Sequence, residues 1–256
     1  MTSTGGRRMP VFFLGIGGPG FTDNASHPAN VKLEEIGKDI TTKIKPKAVV
    51  VFSAHWQESP GIKINAAEHT DLIYDFYGFP PEYYQIDYPN KGSPEIAEKV
   101  VQKLNAAGMR VEKTKRGLDH GIWVGFMAVS LLANDDVEQH YRIGEALESL
   151  RDEGIMIIGA GMAVHNLYDF RSTIGTGRNM PFDEALKEAA TASPEDRREA
   201  MVALMKRTDA RKAHPSVEHL LPVFVAAGAA GKDRGMQRWT LPEGSLSWAQ
   251  YQFGGI

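Results

Sequence analysis

The chain has 256 residues, 42% hydrophobic and 24% charged, so it can bury a sizeable core, and fibrous or low-complexity classes drop out. Twenty-nine Lys and Arg against 32 Asp and Glu leave a net charge of -3, which provides no basic field for a phosphate backbone; nucleic acid is not an expected partner. The absence of cysteine excludes disulfides, thiolate metal sites and a thiol nucleophile, so any metal must be held by His, Asp or Glu.

In chain order, residues 1–9 read as an N-terminal tail and 10–256 as one domain, since no Pro/Ser linker or change of composition divides the chain. Arg7 and Arg8 before Pro10–Leu14 imitate a twin-Arg export signal, but the glycines from Gly15 interrupt the apolar run early, and Val11–Leu14 reads better as a buried strand. Leu33, Ile36, Ile40 and Ile44 recur at helical spacing up to Lys45-Pro46, and Ala48–Phe52 reads as a fully buried strand. Ser93-Pro94 is an N-cap with proline at the first helical position, and that helix runs to Gly108. Asp136 opens a further helix ending near Gly154, and Ile155–Ile158 is a second buried strand. Ser193-Pro194 is expected to start a helix, and Pro215 to open the one carrying Val217, Leu220, Leu221 and Val225. Ser245–Phe253 alternates apolar and polar residues, as a half-exposed strand does. This alternation predicts an α/β fold, a single domain with a central, mostly parallel or mixed sheet flanked by helices. The loop-rich segments are 21–30, 74–93, 115–122 and 167–182, where α/β folds usually carry their chemistry. The longest apolar run, Gly154–Leu167, contains His165 and Asn166 and is too short and too polar to span a bilayer, so no membrane is expected and the cytoplasm is the default compartment.

Gly15–Gly20 matches a G-x-G-x-x-G fingerprint after a strand, but Pro19-Gly20 prevents the helix that would receive a pyrophosphate, and a tight turn is the simpler reading. Four histidines end apolar runs or sit in loops: His55 in SAHW, His120 in DHG, His165 in AVHN and His219 in EHLLP. Each alone is as easily a core residue with one hydrogen bond. Together, at strand ends that converge on one sheet edge, they form an imidazole set suited to Zn, Fe, Cu or Ni. His27, His69, His140 and His214 read as surface residues, Glu195–Glu199 as a solvated helix face, and the aromatic run Tyr74–Tyr88 mainly as packing, with stacking faces for a ring-shaped substrate as the other use.

FSAHWQ (Phe52–Gln57), YDFYGFPPEYY (Tyr74–Tyr84), GLDHGIW (Gly117–Trp123), AVHN (Ala163–Asn166) and EHLLP (Glu218–Pro222), in that order, resemble the class III extradiol ring-cleavage dioxygenases of the LigB superfamily, nearest its 4,5-DOPA dioxygenase-like branch. The resemblance implies a single α/β domain that holds non-haem Fe(II), or Zn(II), at the sheet edge and acts on a small catechol such as DOPA with dioxygen. It implies metal ligation by His55 and His219, a role for His165 as acid/base or further ligand, and His120 facing substrate and oxygen. Ile16 stands where that family's first glycine loop carries a metal-binding histidine, and the segment from Trp123 to Asp135 is shorter than in such proteins. His27, eleven residues beyond Ile16, is a candidate replacement ligand. The same scaffold also allows a catalytically silent ligand-binding or interaction protein, or a metal-independent lyase or hydrolase using His165 as base. A monomer and a homodimer are both compatible with the composition.

Overall fold

The computed structural model describes residues 7–18, 24–122, 127–175 and 181–256. Pro19 and Gly20 of the glycine-rich motif, Trp123–Phe126 at the start of the shortened segment, and 176–180 lie outside the described residues.

Among the described residues the strands are β1 (Val11–Gly15), β2 (Ala48–Glu58), β3 (Ile62–Asn65), β4 (Val111–Thr114), β5 (Met127–Leu132), β6 (Ile155–Gly161), β7 (Val164–His165), β8 (Gly235–Trp239), β9 (Pro242–Glu243), β10 (Leu246–Ser247) and β11 (Gln250–Phe253). The α-helices are α1 (Pro28–Asp39), α2 (Pro94–Ala106), α3 (Val137–Leu147), α4 (Leu167–Thr173), α5 (Pro181–Thr191), α6 (Arg197–Ala203), α7 (Ala210–Ala213) and α8 (Leu221–Ala229). Eight strands form a mixed sheet in the order β4-β3-β5-β2-β6-β1-β11-β8, whose central four, β5-β2-β6-β1, are all parallel. The α/β single-domain architecture expected from the alternation of elements is therefore the one observed. No described helix is long and apolar enough to cross a membrane.

Strand alternation sends the side chains of β1 to two cores. Val11 and Phe13 join the core that α2, α3, α5 and α8 build on one face, while Phe12 and Leu14 join the core covered by α1 on the other. Parallel pairing aligns the carboxyl ends: Gly15 lies opposite Gly161, and Leu14 and Ser53 both lie opposite Ala160. The residues that follow, Ile16, His55 and Met162, thus emerge on one edge, where α/β sheets place ligands.

Several boundaries differ from the sequence reading. Ser193 and Pro194 lie in a turn, and α6 begins at Arg197. Pro215–Leu220 is irregular and turn-like; α8 begins at Leu221 with Pro222 in its first turn, because a proline seven residues into a helix opened at Pro215 would lack its N–H and clash with the preceding turn. The segment 167–182 contains α4 rather than loop alone. Ser245–Phe253 is buried along its whole length, since its polar positions find internal partners: Gln250 bonds the amide and carbonyl of Gly15, and Ser247 donates to Asp183.

Three residues read as surface are core. His140 is fully buried and joins β5 to α3: its Nε2 accepts from Leu132 N–H, which leaves Nδ1 to donate to the Asp136 carbonyl. His214 is fully buried beneath Phe182 and donates from Nε2 to the Ala163 carbonyl. Arg197, in the charged run, buries its guanidinium against Phe253 and donates to the carbonyls of Asp233 and Gly231. Charge and polarity placed these residues outside, but each has a backbone carbonyl within reach that accepts from one of its N–H groups.

Candidate functional site

β2 pairs Phe52 with Val129 and then Gln57 with Leu131, so Ser53–Trp56 bulges out of the ladder with β5 and carries His55 to the sheet edge. Its base is a buried polar network: Ser53 Oγ accepts from His55 N–H and donates to Asp119 Oδ1 (2.7 Å), and Arg116 bonds Asp119 Oδ2 (2.8 Å) while stacking over Trp56. Residues 71–73 pair with 117–118 through Leu118 N–H to the Asp71 carbonyl and Ile73 N–H to the Leu118 carbonyl. That pairing sets Asp75 beside His120.

Asp75 then holds two imidazoles at once. Its Oδ2 lies 3.0 Å from His55 Nδ1, and its Oδ1 accepts from His120 Nδ1 (2.8 Å) and from His120 N–H (3.0 Å). Burial raises the Asp75 carboxyl, but the bonds from His120 and His55 outweigh it and hold the group well below the usual carboxylate range. With Nδ1 occupied in both rings, Nε2 is the nitrogen left to each for the cavity.

His219 comes from the turn before α8. That turn approaches β6 so closely that a Cβ on Gly161 would lie 2.2 Å from the His219 carbonyl, and one on Gly159 equally close to the Pro222 carbonyl. Only glycines allow the contact, which is fixed by Met162 N–H donating to the His219 carbonyl (2.8 Å). His219 Nδ1 is 3.0 Å from Glu218 Oε1; burial raises the Glu218 carboxyl, but the bond to His219 brings it down to about 2. Burial in turn lowers His219, more than Glu218 raises it.

His165 sits on β7, opposite Leu246 of β10. Asn166 anchors the corner: its side chain accepts from Tyr168 and Asp169 N–H at the start of α4 and donates to the Lys212 carbonyl. The rings of His165 and His219 stack 3.7 Å apart and 16° from parallel. Burial, with His219 alongside, lowers His165 to about 3, so it is neutral near pH 7. His55 lies 4.1 Å from His120 and 5.2 Å from His219, centroid to centroid.

All four imidazoles, His55, His120, His165 and His219, line one cavity of about 280 Å³, together with Ile16, Met162 and Trp248. Two groups have potential ligand atoms within 4.8 Å of one another: His55, Asp75 and His120, and His165, Glu218 and His219. Ile16 lines this cavity, its amide held by the Gly161 carbonyl, and offers no donor atom. His27 is engaged elsewhere: Nδ1 accepts from Ala29 N–H as the cap of α1, and Nε2 lies 3.6 Å from Glu243. The aromatic run packs chiefly on itself, with Phe76 buried against Tyr84, Phe79 and His120.

Sequence reasoning missed two residues of this site. Asp75 was visible only as part of the YDFYGF string, since nothing in its spacing marks a carboxylate shared by two distant histidines. Trp248, whose Nε1 donates to Glu243 (2.9 Å), was hidden in the apolar alternation of the C-terminal strand.

The family model for the LigB catalytic subunit of aromatic ring-opening dioxygenases matches residues 9–242. The chain belongs to the LigB family. It is 36% identical over 262 residues to the 4,5-DOPA dioxygenase extradiol of Beta vulgaris, covering 95% of this chain and 96% of that protein. It is 32% identical to the 4,5-DOPA dioxygenase extradiol of Escherichia coli strain K12, over 99% and 97% of the two chains. A crystal structure of an uncharacterized Escherichia coli K12 protein matches with a TM-score of 0.74 at 29% identity, covering 96% of this chain and 100% of that one. In this LigB-family chain the strings SAHW, DHG, AVHN and EHLLP each deliver their histidine to the same cavity.

Proposed function

We propose that this LigB-family chain binds Fe(II), or Zn(II), and opens the ring of a small catechol such as DOPA with dioxygen. The convergence of His55, His120, His165 and His219 on one cavity, with Nδ1 of three of them on carboxylates, carries this reading. The donor chemistry fits: imidazole nitrogens suit both metals, and carboxylate partners of this kind orient ligating histidines.

His55 and His219 would hold the metal through Nε2, and His165 is the third imidazole of the set. Imidazole lone pairs lie in the ring plane, and the nearly parallel stack keeps the lone pairs of His165 and His219 in two separate planes. In this arrangement His165 is the free base, and it joins the ligand set only if its ring turns. A bound Fe(II) would supply Lewis acidity toward the catechol oxygens and an electron source for dioxygen. Neutral His165 takes a proton from a catechol hydroxyl, and His120, tied to Asp75 at Nδ1, keeps Nε2 for substrate and dioxygen. Trp248, Met162 and Leu246 give the cavity an apolar wall for the ring.

The test is oxygen uptake and ring-fission absorbance with DOPA and simple catechols, using Fe(II)-loaded protein. Turnover that falls about 10²- to 10⁴-fold in His165→Ala supports the reading. Absence of oxygen uptake with every catechol rejects it. Ile16 favours a second reading, a catalytically silent binding protein on the same scaffold, which predicts ligand binding without oxygen uptake. Turnover that persists in chelator would instead point to a metal-independent lyase or hydrolase with His165 as base.

A further inference from the structure

A second cavity, also of about 280 Å³, lies under α1 on the face of the sheet opposite α8. Its floor is Leu14, Val51 and Ile158, and its roof is Ile36 and Gly37 of α1 with Ile40 just past the end of that helix. Among the described residues no charged side chain lines it; its polar side chains are Tyr88 and Thr41, and the Thr41 hydroxyl turns back to the Gly37 carbonyl (2.9 Å). A chamber so poor in polar partners holds water weakly, and an apolar cavity of roughly 150 Å³ is enough to take benzene.

This chamber adjoins the histidine cavity. Ile16 lines both. Gly121 lines the apolar chamber, follows His120, and sits where a Cβ would meet His55 Cδ2 at 3.4 Å. Ala160 lines one chamber and Met162, two residues on, lines the other. An aliphatic residue at 16, useless to a metal, gives both cavities an apolar surface where they adjoin. Gly37 adds an independent sign: it lies inside α1, where alanine would form helix more readily, and a Cβ there meets nothing within 4 Å. Glycine at this position leaves the chamber open where any side chain would begin to fill it.

We propose that the apolar chamber is the second compartment of the ligand site and takes the hydrocarbon substituent of a small aromatic substrate whose polar end lies among His55, His120, His165 and His219. The polar half rests on the catechol reading above; the apolar half stands on the chamber itself.

Alkylbenzenes, which have no hydroxyls, separate the two. Calorimetric titration of the full chain with the series from toluene to n-butylbenzene, in chelator, is expected to show affinity rising about fourfold per added methylene. Gly37→Leu fills the chamber and flattens that dependence. Gly37→Ala, which favours the helix, shortens the longest chain accommodated by about one methylene and carries the test should Gly37→Leu fail to fold. A parallel series of 4-alkylcatechols should show the same dependence relative to catechol. No dependence on chain length in the unmodified protein, or the same dependence in both Gly37 variants, would overturn the proposal. Alkylbenzenes that follow the pattern while catechols fail to bind would leave the chamber standing and remove the catechol reading.

Discussion

Replacing Asp75 with Asn removes a negative charge and changes little in shape, yet it sets two imidazoles against each other. The carboxylate now accepts from the Nδ1–H of both His55 and His120. An Asn amide has one oxygen and one NH2, so it can accept from only one of them; the other ring faces a donor and must move its proton to Nε2. That shift removes the lone pair from the nitrogen left to the cavity. Loss of a partner of this kind typically costs 10- to 100-fold in metal affinity, or about 1.4–2.8 kcal/mol. The assay is competitive titration of Zn(II) or Co(II) against a chromophoric chelator, beside urea unfolding of the metal-free protein. Asp75→Asn should weaken the metal by that factor and also lower metal-free stability at pH 7 by about 1–3 kcal/mol, because the ionised carboxylate that accepts from both rings is favoured in the folded chain. Undiminished metal affinity in Asp75→Asn would refute the reasoning.

Gly161→Ala places a Cβ 2.2 Å from the His219 carbonyl and forces the turn away from β6; stability should fall by about 1–3 kcal/mol by urea unfolding, with metal affinity falling as well. Asn166→Ala removes the cap of α4 and a bond to Lys212, and should cost about 1–2 kcal/mol in the same assay. Burial lowers His214 to about 4, so the unfolded chain takes up this proton near pH 6.5 while the folded chain resists it. Stability is therefore lost as pH falls from 6.5 toward 4, and this residue alone accounts for about 2 kcal/mol between pH 7.5 and 5. His214→Phe should flatten the metal-free pH profile by that amount; an unchanged slope would show that His214 is not held neutral.

The parallel core of the sheet and the convergence of four histidines were legible because buried strands and strand-end polar residues leave strong local patterns. SAHW places His55 after an apolar run, and AVHN places His165 four residues beyond the end of β6. The helix carrying Leu221–Val225 was misplaced because Pro215 and Pro222 both resemble helix starts, and only the packing of the His219 turn on Gly161 decides between them. His140, His214 and Arg197 were read by polarity as surface, whereas their burial depends on backbone carbonyls supplied by remote segments. Asp75 was invisible for the same reason: its partners lie 20 and 45 residues away and meet only through the pairing of 71–73 with 117–118.

Metal content per chain, measured by elemental analysis after anaerobic Fe(II) reconstitution and removal of unbound metal, tests the central claim most directly. The account predicts close to one equivalent in the unmodified protein and a large loss in both His55→Ala and His219→Ala. Retention of no metal by the unmodified protein would contradict it and leave Ile16 as the mark of a cavity that binds ligands without a metal, and undiminished retention in both variants would contradict it by placing the metal elsewhere.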